Sequence, residues 1–358
     1  MPYVNNLVHR PEVSYVAFVA PYIDIDERIV MGWNSAENMT DEAVRFFIAP
    51  TDDAVEALLQ EVAGPDTHCI FSGINAFEQV AKWLKMSLKY NVHRSILTEP
   101  PMIYEHPLWM HALRFAICDW SLVKYIDNML VMGDRFVPYY KMWSRHWNVY
   151  PFMYCTNLKD VNTMPLPLNT DLLNVVYVGE LCRRKNVLLL LQAMAAMPNV
   201  NNLMHIDIVG DGSEMSMLQQ FAEQHSLNVT FHGRQPMNQI AHFICRNDVL
   251  VLPSCHDGWG AVVNEALSLG RFVLCSDHCG ARYLINKLSA WNSTLGCICG
   301  RVFRSNKKSD LQQNLLFCIE NKQLIRQTTN ERINWSKDTI SSSAVAQRMI
   351  DILTNKLK

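Results

Sequence analysis

The sequence has no apolar stretch approaching the ~20 residues needed to cross a bilayer. Its opening residues, Met1-Pro2-Tyr3-Val4-Asn5-Asn6, carry no basic region followed by an apolar run, so neither a membrane span nor a signal peptide is expected. Net charge is small, −2 at pH 7, and does not advertise nucleic-acid binding. Compositional bias is missing too. With 49% hydrophobic and 18% charged residues, 14 Gly and 15 Pro, the chain is neither disordered, collagen-like nor low in complexity. The 11 cysteines contain no C-x2-C…C-x2-C arrangement. Without a secretion signal they read as reduced thiols of a cytoplasmic protein. The sequons at Asn38, Asn228 and Asn292 then read as chance matches.

What is present is length and alternation. A chain of 358 residues suggests two domains at roughly 150 residues each. Charge divides unevenly: residues 1–155 have 12 Lys+Arg against 18 Asp+Glu, a balance of −6, leaving 20 against 16, or +4, for the rest. An anionic ligand bound by charge belongs in the second half. Short apolar runs bounded by turns alternate with helical patterns nearly throughout, for example Asn75–Tyr90 with Phe77, Val80, Ala81, Leu84 and Leu88 on one face. This is the signature of βαβ units around parallel sheets. No short internal repeat is visible. The polar, aperiodic stretch 156–173 reads as a linker between a first domain, 1–155, and a second, 174–340. Residues 341–358 read as a terminal helix expected to pack back on the first domain. Two Rossmann-like domains joined this way would face each other across a cleft lined by the carboxyl ends of two sheets, where ligands of open α/β folds bind.

Three segments of the second half carry chemistry. In Val249–Leu267, a strand ending Pro253-Ser254 leads into Cys255-His256-Asp257-Gly258-Trp259-Gly260 and then a helix. Such a loop offers successive backbone N–H groups and a positive helix end, flanked by Asp257 and by Glu265 one turn into the helix. A carboxylate facing paired hydroxyls makes charge-assisted bonds; the alternative is a tight turn beside a solvated helix acid. In Val176–Val187 a strand enters a turn at Gly179, followed by Arg183-Arg184-Lys185 and a helix, which suits a diphosphate or is simply a solvated basic turn. Val209-Gly210-Asp211-Gly212 also follows a strand. The last glycine of G-x-G-x-x-G is Met215 here, which disfavours a dinucleotide oxidoreductase.

In this order the segments resemble the retaining GT-B glycosyltransferases of family 4, the glycosyl transferases group 1, of the bacterial surface-polysaccharide type. Gly270-Arg271-Phe272-Val273 and Gly280 continue the match, while in the front half Asn128–Gly133 and Val149-Tyr150-Pro151-Phe152 look like the last first-domain strand and a Pro-Phe crossover. The resemblance implies an α/β GT-B fold and transfer of a sugar from a nucleotide diphosphate sugar to a hydroxyl of a glycan, lipid-linked or of a cell-surface polysaccharide. It implies retained anomeric configuration and no metal or other cofactor. Lys185 would neutralise the donor diphosphate with Arg184 beside it, near the turns at Gly179 and Gly210. Asp257 and the Gly258, Trp259 and Gly260 amides would hold the donor sugar and phosphate, and Glu265 the ribose hydroxyls. The sequence departs from the family at three places: Asp257 replaces a glutamate, Glu180 replaces an arginine, and the glycine-rich acceptor loop near the N-terminus has no counterpart.

Several further residues admit two readings. Glu99, after a front-half strand, is the candidate for the acceptor hydroxyl, followed by His106; each reads equally as a structural strand-end residue. Asp24-Ile25-Asp26 mimics a metal-binding Asp-x-Asp but follows no strand end that would complete a site. Cys255-His256, His278-Cys279 and Cys297-x-Cys299 read as buried thiols in preference to a zinc site. Lys82, Lys85 and Lys89 around Trp83, and the segment Tyr139–Trp147, mix cations with aromatics and suit peripheral contact with an anionic membrane, or are ordinary amphipathic helices. A nucleotide-sugar 2-epimerase and a catalytically idle scaffold subunit are alternative functions of the same fold.

Overall fold

A computed structural model of the chain describes residues 2–22, 41–74, 77–101, 107–143, 146–156, 171–289, 291–292 and 294–356. Asp24, Asp26 and His106 lie outside the described residues, as does most of the stretch 156–173. The chain divides into two compact units, Met1–Cys155 with Ser342–Lys358, and Thr156–Ser341.

In the first unit, β1 (Val16–Ala20) pairs in parallel with β2 (Val44–Ile48). A second parallel sheet has the order β3 (His68–Ser72), β4 (His93–Thr98), β5 (Asn128–Met132), β6 (Asn148–Phe152). β5 is buried along its whole length, and Leu84, Ile96, Met129 and Val131 form its core with Phe115, Tyr140 and Trp147. Pro151 and Phe152, expected in a crossover, belong instead to β6 at the sheet edge, where a proline lacking a ladder donor is tolerated. The terminal helix Ser342–Leu353 returns to this unit. Asn6 Nδ2 donates to Ser342 Oγ (2.9 Å), and Arg348 Nη2 donates to the Pro151 carbonyl (3.1 Å).

The structure reassigns the lysine-rich face of helix Glu78–Ser87. Lys82 pairs with Asp52, Lys89 pairs with Glu56 (2.8 Å), and Trp83 is buried with its Nε1 donating to Asp52 Oδ1 (3.2 Å). Two of these cations pair with acids of the neighbouring helix Asp52–Val62. Lys82, Lys85 and Lys89 all remain exposed at the surface. The aromatics of 139–147 are likewise inward: Tyr140 and Trp147 are buried, and Trp143 packs on Phe115 at 5.1 Å between ring centroids.

The second unit holds one six-stranded parallel sheet. Its strands are β7 (Leu173–Val178), β8 (Met204–Val209), β9 (Val229–Gly233), β10 (Val249–Leu252) and β11 (Phe272–Ser276). A short hairpin of β12 (Trp291–Asn292) and β13 (Gly296–Cys297) precedes β14 (Gly300–Phe303), and the order is β14-β11-β10-β7-β8-β9. This is the doubly wound order, which reverses direction between β7 and β10. Near-continuous apolar runs such as Leu250–Leu252 and Phe272–Cys275 are fully buried because helices cover both faces of such a sheet. The carboxyl ends of β7 and β10 diverge at the reversal, and the two chemistry-bearing loops leave the sheet there.

Candidate functional site

After β7 the chain turns through Gly179 and reaches helix Val187–Ala195, capped by Asn186 in the left-handed region (φ 55°). The turn is tied to the one after β8. Gly179 N–H donates to the Val209 carbonyl (3.0 Å) and Leu181 N–H to the Asp211 carbonyl (2.9 Å), extending the ladder past both strands. No side chain fits between them: a Cβ on Gly210 would lie 1.8 Å from the Gly179 carbonyl oxygen. Glycine at 210 is therefore an apposition requirement and not a dinucleotide fingerprint.

The loop after β10 is held from two sides. Cys255 N–H donates to the Arg184 carbonyl (2.8 Å), and Arg184 Nη1 donates to the His256 carbonyl (3.2 Å). On the other side Asp257 N–H donates to the His278 carbonyl (3.1 Å), Gly280 N–H to the Asp257 carbonyl (3.1 Å) and Ala281 N–H to the Trp259 carbonyl (2.8 Å). Gly260 closes the loop at φ 90°, where a Cβ would meet both Cys279 Sγ and Leu252 Cδ2 at 2.8 Å. The helix Ala261–Ser268 starts at the next residue.

These restraints bring Lys185 and Asp257 together across 72 residues of sequence. Lys185 Nζ lies 2.6 Å from Asp257 Oδ2, and the two side chains are only 16% and 11% exposed. Ser254 Oγ is 3.4 Å from the same carboxylate oxygen. Partial exclusion of water strengthens this attraction relative to a surface pair. Glu265 is placed differently. It is partly buried one turn into the helix, no partner for its carboxylate is found among the described residues, and desolvation raises its pKa.

The remaining candidates divide clearly. Gly258 and Gly260 bracket the loop, and their amides engage no backbone acceptor among the described residues. Trp259 is 2% exposed and its indole donates to Asn264 Oδ1 (2.7 Å), so only its backbone faces the loop chemistry. Glu180 is exposed; its carbonyl accepts from the Tyr177 hydroxyl (2.8 Å). Glu99 belongs to the first unit, at the end of β4, and accepts a hydrogen bond from Tyr154 just past β6. No sequence spacing announces that tyrosine. The cysteine and histidine clusters serve as loop ties. Cys279 Sγ donates to the Trp259 carbonyl (2.9 Å), His278 Nδ1 contacts the Cys255 carbonyl (2.7 Å), and Cys297 Sγ donates to Ser289 Oγ (2.9 Å). Among the described residues no three His, Cys, Asp or Glu side chains converge on a metal position.

A doubly wound sheet with a cation and a carboxylate at its reversal point, beside a glycine-bracketed helix start, matches the second half of a GT-B fold. The whole chain has that fold. It superposes on the lipopolysaccharide outer core galactosyltransferase WaaB in its apo form with a TM-score of 0.67 and 15% identity, covering 99% of this chain and 95% of WaaB. It superposes on Anabaena Alr3699/HepE in complex with UDP with a TM-score of 0.63 and 14% identity, covering 95% and 100%. Residues 161–335 match the family model Glycosyl transferases group 1. Over 122 residues the chain is 34% identical to a protein of Bacillus subtilis (strain 168) named provisionally as the teichuronic acid biosynthesis glycosyltransferase TuaC. That match spans 34% of this chain and 28% of TuaC.

The desolvated Glu265 carboxyl has a stability consequence. A raised carboxyl pKa contributes stability below the unfolded-state value that is lost as pH rises through the folded-state value. Glu265→Gln removes this loss, so the unliganded variant should melt above the wild type at pH 8 and approach it at pH 4, as followed by thermal denaturation across pH.

Proposed function

We propose that the protein is a retaining glycosyltransferase. It moves a sugar from a nucleotide diphosphate sugar to a hydroxyl of a glycan acceptor, lipid-linked or part of a cell-surface polysaccharide, without a metal ion. The observation that carries this reading is the Lys185–Asp257 pair at the reversal point of the sheet. Support comes from the family match of residues 161–335, from UDP as the ligand of HepE, and from the glycan roles named for TuaC and WaaB.

The donor enters with its diphosphate at Lys185, which exchanges the Asp257 carboxylate for phosphate oxygens, with Arg184 adjacent. The Gly258–Gly260 amides and the helix start add fixed donors for phosphate and sugar. Glu265 accepts the ribose hydroxyls, and two charge-assisted bonds offset its desolvation. Released from Lys185, Asp257 is free to accept from a sugar hydroxyl. As the bond from the anomeric carbon to the phosphate oxygen breaks, negative charge grows on the leaving diphosphate and is stabilised by Lys185. The acceptor hydroxyl attacks the same face, forms the new carbon–oxygen bond and passes its proton to the departing phosphate. Glu99, oriented by Tyr154, is assigned to the acceptor hydroxyl. Such acceptors place the enzyme at the cytoplasmic face of a membrane, in peripheral contact with it.

Removing the cation is the direct test. Lys185→Ala should lower kcat/KM by roughly 30–1000-fold, corresponding to ~2–4 kcal/mol of lost charged contact. The wild-type rate should persist in EDTA in the same assay. A variant near wild-type efficiency, or an EDTA-dead enzyme revived by Mn²⁺, contradicts the assignment.

The two carboxylates should separate by readout. Glu265→Gln replaces charge-assisted bonds by neutral ones and should weaken UDP binding by ~1–2 kcal/mol. Asp257→Asn releases Lys185 to phosphate, so UDP should bind as tightly or more tightly while kcat falls. Equal losses of UDP affinity in both variants would make the loop structural.

A further inference from the structure

Six of the fourteen large apolar side chains exposed among the described residues fall in one short segment. Helix Leu108–Arg114 continues through a wide turn, Phe115–Asp119, into Trp120–Val123, giving sixteen residues of helix. Its inner face is ordinary core: Phe115, Leu122 and Val123 are buried against the sheet of the first unit. Its outer face should then be polar. Instead it presents Trp109 (65% exposed), Met110, Leu113, Ile117 (73%) and Trp120 (57%), flanked by Leu108 at the helix start. A contiguous apolar face of this kind on a folded protein marks a surface that meets something other than water.

The chemistry of the face selects its occupant. Arg114 and Lys124 are exposed on it, and Lys124 Nζ lies over the Tyr125 ring at 4.8 Å. The Phe115–Trp143 contact brings the last turn of helix Val137–Trp143 alongside, where Lys141 and Met142 are both exposed. Over 107–125 and 137–143 the sequence has three Lys+Arg, at 114, 124 and 141, against one acid, Asp119. Tryptophans and a tyrosine beside long apolar side chains, ringed by cations, match the headgroup–acyl boundary of an anionic bilayer. No helix among the described residues is long and apolar enough to cross a membrane. Attachment through this face would be peripheral.

We propose that helix 108–123, with the end of helix Val137–Trp143, is a docking surface for the headgroup–acyl boundary of an anionic lipid bilayer. The proposal centres the membrane contact of the proposed function on helix 108–123, outside the two basic segments, with Lys141 and Met142 of the segment 139–147 at its border, and it does not depend on the donor site. Those earlier segments have their aromatics in the core, and Lys82 and Lys89 in ion pairs. The exposed face has neither constraint.

The test is co-sedimentation of the full chain with vesicles of phosphatidylcholine, with and without phosphatidylglycerol. Wild type should pellet with the anionic vesicles and far less with the neutral ones, and added salt should weaken the binding. W109A/W120A, which truncates exposed side chains only, should lower partitioning by about tenfold or more. R114E/K124E should lose the preference for phosphatidylglycerol. UDP titration of W109A/W120A should match wild type, which separates failure of the membrane surface from failure of the donor site. Equal partitioning of wild type and W109A/W120A overturns the proposal. So does a wild-type dimer in light scattering that W109A/W120A disperses, because the face would then be covered by a second copy.

Discussion

The ladder of the six-stranded sheet does not stop where its strands stop. Backbone hydrogen bonds continue from Gly179 to Val209, from Cys255 to Arg184 and from Asp257 to His278. Three loops that leave adjacent strands therefore stay in register beyond the sheet edge, and backbone restraint places Lys185 against Asp257 at 2.6 Å. A lysine on its flexible stem would lose considerable rotamer entropy to reach such a geometry unaided. Gly210 and Gly260 are consequences of the same constraint, since each sits where a Cβ would collide with the neighbouring loop.

This arrangement gives two carboxylates of one loop–helix unit unlike surroundings. Asp257 is compensated by an ammonium group and touched by Ser254. Glu265 is desolvated, with no partner for its carboxylate among the described residues. The unliganded site is thus internally neutralised at its cation and unsatisfied at its deeper acid. In the proposed reaction an incoming nucleoside diphosphate would reverse both conditions at once, with phosphate replacing carboxylate at Lys185 and ribose hydroxyls approaching Glu265.

The second half was legible because its elements are local and regular. Uniform apolar runs such as Val249–Leu252, followed by Pro253 and two glycines, specify a buried parallel strand and a tight loop without help from distant residues. The resemblance supplied the order of the motifs, and the residues themselves supplied the anion chemistry. What the pattern could not reveal depended on partners far away in sequence. The lysines of helix Glu78–Ser87 looked like a basic face until the acids of helix Asp52–Val62, some 30 residues earlier, came to meet them. Pro151 looked like a crossover because the neighbour that makes β6 a strand is β5. Helix 108–123 is apolar on nearly every side, which leaves no periodic contrast in its sequence. The Tyr154–Glu99 contact likewise joins the ends of two different strands.

The central claim is that Lys185 is the diphosphate anchor. Calorimetric titration of UDP and of uridine into wild type and Lys185→Ala tests it without any acceptor or knowledge of the sugar. The account predicts that wild type binds UDP at least about 30-fold more tightly than uridine, in line with ~2 kcal/mol for a charged contact. In Lys185→Ala that gap should largely close, with uridine affinity unchanged. A gap of the same size in the variant would show that the phosphates are held elsewhere and would contradict the account.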